Sequence, residues 1–334
     1  YEVAWEQFKY LSLPKIVECV DTTLDMEIDS DNKKDISVKG KNFYLNISDG
    51  YISQYKIDNE SIITSALKPN FWRASTDNDW RGWKVDRLFA FWKDAPLKLK
   101  TVSIDVRKSE GNLEVKVLKA IDERLRLTLN YKVKADGTIG VHYSMMKSPE
   151  ISEMLRVGLQ CECTNRLSDV TYYGRGPWEN YVDRKDATPI GVYESTVSDQ
   201  WVNYVKPQEM GNHEEVRWIS ITNADGMGFV FVAGGQMAAS ALHVRAQDMA
   251  DPDHLQKLIH KYDIPMRKET VLCLDAHNRP LGNASCGPGP MKKYELQATP
   301  VAFSFIMMPL ERSYTQSELT KKHAYRCLHA LPVW

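Results

Sequence analysis

Leu125-Arg126-Leu127-Thr128-Leu129-Asn130-Tyr131-Lys132-Val133 decides the fold class, because apolar and polar side chains alternate along it without a break. A strand sends successive side chains to opposite faces, so this pattern predicts a strand buried on one side and wet on the other. Asp136-Gly137 follows as a turn, and residues 138–145 resume as a second strand, giving a hairpin. Moving outward, similar runs lie at 113–118, at 216–222 before Asp225-Gly226, and at 228–232. Residues 269–275 and 300–307 read the same way. Short strands joined by turns, with few long helical stretches, predict antiparallel sheets stacked as a sandwich. Three helical candidates interrupt them: 86–93, 253–261 after Pro252, and 317–328. No repeat of 20–50 residues and no low-complexity tract is visible.

Composition narrows the function classes. In 334 residues there are 43 Lys and Arg against 44 Asp and Glu, a net charge of -1. That balance opposes a nucleic-acid binder with a broad basic surface. No run approaches ~18 consecutive apolar residues, so no membrane-spanning helix is expected. The first ten residues lack a signal-peptide pattern, and the sequence starts at Tyr1 rather than Met, so an upstream part is expected to be missing. Six cysteines are scattered along the chain, Cys161 and Cys163 as a C-x-C pair, without the spacing of a structural zinc site. They read as ordinary thiols, most of them buried. The sequence does not decide between a cytoplasmic and a periplasmic location. At the start, Tyr1-Glu2-Val3-Ala4-Trp5-Glu6-Gln7-Phe8 alternates like a single strand, and an acidic stretch over 21–35 then reads as a linker.

Three segments are more particular than generic sheet. They are Tyr173-Gly174-Arg175-Gly176-Pro177-Trp178-Glu179-Asn180-Tyr181-Val182-Asp183-Arg184, then Tyr204-Val205-Lys206-Pro207-Gln208-Glu209-Met210-Gly211-Asn212, then Leu274-Asp275 with Leu281-Gly282-Asn283-Ala284-Ser285-Cys286-Gly287-Pro288. In this order and spacing the chain resembles the carboxy-terminal domain of the long β-galactosidases of glycoside hydrolase family 2, which some bacteria make as a separate small chain. Arg73-Ala74-Ser75-Thr76-Asp77-Asn78-Asp79 is similar to that domain's R-A-x-x-D-N-D, and Ala4-Trp5-Glu6-Gln7 to the last strand of the preceding immunoglobulin-like domain. The resemblance runs from about residue 1 to about residue 310.

The resemblance implies an all-β fold, a large antiparallel β-supersandwich of the galactose-mutarotase type with a few short helices. It divides the chain into the last strand of the preceding domain (1–12), a linker (13–35), the supersandwich (36–310) and a tail with a helical pattern (311–334). It also implies that the catalytic glutamates, magnesium and sodium belong to a (β/α)₈ barrel. The strand and helix units of such a barrel are not found in this sequence. The chain alone is therefore expected to be non-catalytic and to bind no metal. Its implied partners are the remaining β-galactosidase domains or large chain, a galactoside in the intact enzyme, and further copies in a homo-oligomer, with no nucleic acid or membrane.

The loop bearing Gly282, Asn283, Ser285 and Cys286 is implied to reach the substrate. Some relatives place a tryptophan where this chain has Cys286, and a thiol offers little area for stacking on a sugar. Arg175, Trp178, Glu179, Asn180, Asp183 and Arg184 are candidates for a sugar-facing or subunit-facing patch. The same residues also suit a buried corner held by Arg–carboxylate forks. Asp77-Asn78-Asp79 reads as a turn capping the segment after it rather than as a cation loop. The alternative function is an autonomous galactose-binding or aldose-epimerase-type sandwich. It would need a His, with His142 and His243 as candidates, converging with a carboxylate in a groove. Aromatic clusters at Phe71-Trp72, Trp80, Trp83 and Phe91-Trp92 are candidates for sugar stacking or an exposed interface.

Overall fold

The computed structural model describes residues 6–8, 25–109, 111–151, 153–249, 260–296 and 300–311. Among them, β1 Glu27–Asp29, β2 Asp35–Lys39, β3 Phe43–Ser48, β4 Tyr51–Ile57 and β5 Glu60–Asn70 form one antiparallel meander. A second comprises β6 Lys100–Ser109, β7 Asn112–Ile121, β8 Leu125–Lys134 and β9 Ile139–Lys147. Between the meanders lie a π-helical turn, Asn78–Trp83, and two short α-helices, α1 Val85–Leu88 and α2 Ala90–Lys98. The chain then adds β10 Arg156–Cys163, β11 Asp169–Arg175, β12 Ile190–Thr196, β13 His213–Thr222, β14 Gly228–Leu242, β15 Thr270–Asn278 and β16 Val301–Leu310. Hydrogen-bonded order runs β1-β2-β3-β4-β5-β10-β15-β14-β16-β9-β8-β7-β6, with β11 joining β12 and β13, and β13 joining β14.

The hairpin read from the sequence is present. Leu125, Leu127, Leu129, Tyr131 and Val133 of β8 are all buried, opposite β7 and β9. Tyr131 donates its hydroxyl to the Gly50 carbonyl (3.1 Å), and Tyr55 of β4 donates to Gly137 in the β8–β9 turn (2.8 Å). The Tyr55 ring also meets Phe229 of β14 edge-on, with centroids 4.8 Å apart. These contacts press one meander onto the other around a common apolar core, the two-layer antiparallel arrangement that the alternation predicts.

β14 links the ladders. Its first half pairs with β16 and its second half with β15, and the partners change around Gly234-Gly235. Phe229 and Phe231 face the main core, while Val230 and Val232 join Trp218, Ile306, Met308 and Leu310 in a second cluster. Burial on both faces explains why this run is continuously apolar rather than alternating.

Several expectations need correction. The helix expected over 86–93 breaks at Phe89 and resumes to Lys98, because burying Trp92 and Ala95 outweighs the Pro96 that argues against it. The linker expected over 13–35 contains a strand near its end: β1 pairs with β2, setting Ile28 opposite Val38. Phe71, Trp72 and Trp92 are core residues, with the Phe71 and Trp92 rings 5.2 Å apart, and not an exposed aromatic patch. Residues 1–5 of the expected first strand, most of the helix expected over 253–261, and the tail over 312–334 lie outside the described residues. Gln7 is described. Its side-chain amide pairs with the main chain of Ile190, donating to the carbonyl (2.8 Å) and accepting from the N–H (2.6 Å).

Candidate functional site

The segments singled out in the sequence meet at one polar junction below an exposed loop. Arg73 leaves the end of β5 fully buried, and its guanidinium forks onto Asp79 through Nε (2.9 Å) and Nη2 (2.7 Å). Nη1 reaches Asn278 Oδ1 (3.2 Å) and the Arg279 carbonyl, while Nη2 reaches the Pro280 carbonyl (3.2 Å). Thr76 and Asp79 cap each other reciprocally, N–H to side-chain oxygen in both directions (3.1 and 3.2 Å). The turn is present, but the capping expected of it is not: Asp77 makes no side-chain cap bond to the helical turn Asn78–Trp83, and Asp79 points inward onto Arg73. A buried guanidinium is tolerated only when its donors are used, and here the carbonyls after β15 and Asp79 use them.

That junction fixes the loop. Asp183 accepts the N–H of Leu281 on one carboxylate oxygen (3.0 Å) and the N–H of Gly282 on the other (2.8 Å). Asn78 donates Nδ2 to the Gly282 carbonyl (2.5 Å) and accepts both the Ser285 N–H (3.0 Å) and hydroxyl (2.7 Å) on Oδ1. Gly282 adopts φ +63°, a left-handed turn that suits glycine. Cys286 at the tip is exposed and carries a free thiol, whereas Cys161, Cys163 and Cys273 are buried. Beneath the loop, Arg279 is buried with its guanidinium 4.5 Å from the Trp83 ring and bonded to Glu153 (2.6 Å).

The six candidates of the 173–184 corner separate into different roles. Asn180 is fully buried and its side chain bonds only main-chain groups: its Nδ2 donates to Arg175 and Trp178 carbonyls (3.0 and 2.9 Å) and its Oδ1 accepts the Glu214 N–H (2.8 Å). It is a joint and not a sugar-facing group. Arg175 pairs with Glu215 (3.0 Å) and donates to the Lys185 and Thr188 carbonyls, so it is a joint as well. Glu179 is nearly buried and takes Arg184 Nη2 (2.6 Å), the Gly211 N–H (2.8 Å) and the Tyr204 hydroxyl. Asp183 holds the loop. Arg184 is half exposed, and Trp178 is 69% exposed, the largest aromatic surface in this corner.

Sequence reasoning missed the floor of the junction. Buried Arg156 of β10 lies between Glu209 and Asp275 (3.2 Å to the latter). Burial, opposed by Arg156 and reinforced by Glu209 and Glu214, raises the Asp275 carboxyl to about 7. Glu214 is likewise pushed up to about 7 by burial. A small cavity of about 20 Å³, room for about one water, adjoins Arg156, Glu209, Ser240 and Cys273. The available signal was an acid closing an apolar run, Asp275 after Val271-Leu272-Cys273-Leu274. For Arg156 no local signal existed.

The histidines with described side-chain partners meet amides and main chain instead of carboxylates. Buried His213 lies between Gln200 Oε1 (2.5 Å) and the Arg175 carbonyl (3.2 Å), and burial lowers it to about 4. His243 Nδ1 faces the Glu269 carbonyl (3.1 Å). His277 is lowered to about 4 by burial and by Arg73 and Arg279. His142 of β9 is lowered by burial. Among the described residues no group of three or more His, Cys, Asp or Glu could hold a metal ion.

Fold and junction together define a class: an antiparallel β-sandwich domain that carries an exposed loop on a floor of buried ion pairs. The family model described as the β-galactosidase small chain matches residues 37–307. The chain is 30% identical over 261 residues to the β-galactosidase of Priestia megaterium, covering 77% of this chain and 25% of that protein. To the β-galactosidase of Lactobacillus delbrueckii subsp. bulgaricus it is 32% identical over 239 residues, 70% of this chain and 23% of the relative. It therefore spans about a quarter of the length of these curated relatives. Among solved structures, galactose 1-epimerase from Lactobacillus acidophilus aligns with 87% of this chain and 100% of its own at a TM-score of 0.41 and 8% identity. The chain belongs to the β-galactosidase small-chain family.

Proposed function

We propose that this chain is the carboxy-terminal region of a glycoside hydrolase family 2 β-galactosidase that cleaves terminal β-D-galactosides with retention of configuration. Two carboxyl groups about 5–5.5 Å apart do the chemistry in a retaining enzyme. One attacks the anomeric carbon while the other protonates the departing glycosidic oxygen, and water then releases the sugar from the ester. On this reading those acids, with the magnesium and sodium sites, belong to the remaining domains. The present chain is non-catalytic. It presents the 282–286 loop to the substrate, packs against the other domains, and is part of a homo-oligomer. The observation that carries the reading is the joint anchoring of that loop by Asn78 and Asp183, which come from two of the segments on which the family resemblance rests. Such anchoring of one exposed loop by side chains from distant segments suits a loop whose position matters to a ligand.

The test is hydrolysis of o-nitrophenyl β-galactoside by the chain alone and after addition of a polypeptide carrying the remaining domains. The expected result is no hydrolysis by the chain alone and activity on mixing. Turnover by the isolated chain, or none in the mixture, would overturn the reading.

A further inference from the structure

The second apolar cluster lies on the side of the sheet that faces away from the main core. Trp218 of β13, Val230 and Val232 of β14, and Ile306, Met308 and Leu310 of β16 are each at most 5% exposed. Alternation sets their direction, because Phe229, Phe231, Phe305 and Met307, one position away along the same strands, belong to the main core. Among the described residues every member of the cluster, and the partly buried Tyr173 packed against it, comes from this one sheet. Neighbours on one face of a sheet shield each other's flanks but leave their tips in water. The same face shows this elsewhere: Val192 of β12, opposite Tyr173, is 36% exposed, and Met146 of β9 is 56% exposed. Burial of a whole indole at Trp218 therefore calls for a covering layer.

The chain's own end can supply that layer. β16 finishes at Leu310, inside the cluster, and Glu311 accepts Asn42 Nδ2 (2.8 Å), which fixes the point of departure. Residues 312–334 follow, beyond the stretch matched by the family model. Their sequence sets Ala324, Cys327, Leu328 and Leu331 at the i, i+3, i+4 and i+7 positions of one helix face, with Lys322, Arg326 and His329 opposite. A helix over 317–328 is about 18 Å long, and the neighbouring strands β13, β14, β16 and β9 span about 14 Å side by side. Residues 9–24 fit less well, since they join Gln7, bonded at β12, to β1, and neither end belongs to the cluster. We propose that residues 312–334 dock on the outer face of β13, β14 and β16, with the apolar stripe of 324–331 against Trp218, Val232, Ile306 and Met308. The tail is then a second layer over the strands that join the two ladders. It closes an apolar patch that would otherwise invite association.

The test is hydroxyl-radical oxidation read residue by residue by mass spectrometry, in the whole chain, in Leu328→Asp and in a form ending at Glu311. Met307 faces the core and Met146 is exposed, so these two set the slow and fast ends of the scale. In the parent, Trp218 and Met308 should be as protected as Met307. In Leu328→Asp, and more so without 312–334, their oxidation should rise severalfold toward the rate of Met146 while Met307 stays protected. Alkylation gives a check that needs no substitution: Cys327 should react with iodoacetamide far more slowly than exposed Cys286. A Cys327 as reactive as Cys286 would put the stripe in water and overturn the proposal. Unchanged protection of Trp218 and Met308 in both variants would assign the cover to another segment. Fast oxidation of both in the parent would show an open face, and protection that grows with protein concentration would show a second copy seated on it. Each of these three results also overturns the proposal. Should the shortened form not fold, Leu328→Asp decides, since it leaves every residue of the sheet unchanged.

Discussion

The β6–β9 meander and the junction beneath the 282–286 loop are held together by opposite means. In the meander, Leu125, Leu127, Leu129 and Val133 bury apolar area against neighbours given by local pairing, β7 on one side and β9 on the other. In the junction, Arg73, Arg156 and Arg279 are buried like core side chains, and side-chain groups bond main-chain groups far away in sequence. The first region tolerates exchange of one apolar side chain for another of similar volume. The second tolerates little, because each deletion leaves a partner buried and unpaired.

Variants can break or sharpen this contrast. The largest effect is expected from Arg73→Ala, which strands Asp79 and three carbonyl or amide acceptors and should cost about 3–5 kcal/mol in denaturant unfolding. A loss below that of any core leucine would show that the buried charges are dispensable. Leu129→Ala, in the middle of the meander, should cost about 3 kcal/mol, as deletion of a buried leucine leaves a cavity. Leu129→Met should restore most of that stability, whereas Arg73→Lys should not rescue a fork that needs a planar guanidinium.

A pH profile separates the regions next. In the junction, Asp275 and Glu214 are raised to about 7, while His213 and His277 are lowered to about 4. As pH falls from about 6.5 to about 4.5, the native chain takes up protons on the two carboxyls before the unfolded chain does, which stabilises it. Over the same window the unfolded chain protonates the two imidazoles that the native chain keeps neutral, which destabilises it, so the two slopes largely cancel. His277→Gln removes one imidazole contribution. Its stability relative to the parent should therefore rise by about 1.4 kcal/mol per unit as pH falls from about 6 to about 5. The smallest effect belongs to the loop tip, where Cys286→Trp should change stability by less than about 0.5 kcal/mol, since the position is exposed. A larger loss would place Cys286 in the packing of the loop.

How much of this was legible in the sequence depends on the distance between cause and consequence. The alternation over 125–133 and the Asp136-Gly137 turn concern neighbours along the chain, and they gave the right strands and faces. Asp275 was visible as a member of a quoted segment, but its burial beside Arg156 was not, because the partner lies on another strand. Asp77-Asn78-Asp79 was legible as a turn. That Asp79 would turn inward onto Arg73, only six residues back, depends on the burial of both, and that Asn78 would bond the 282–285 backbone depends on bringing residues about two hundred positions apart into contact. Asn180 and Arg175 looked like surface candidates because polar side chains usually are. Only the folded corner shows that main-chain carbonyls take their donors.

By itself the sequence determined an antiparallel β domain, its turns, and the segments that carry family likeness. Each of these follows from the side-chain period of a strand or from the order of residues along the chain. The tertiary structure alone decided which charges are buried, how β14 joins the two ladders, and what holds the exposed loop. Those outcomes are set by hydrogen bonds and ion pairs between strands remote in sequence. Whether a buried donor or carboxylate is tolerable depends on which partner the fold brings to it.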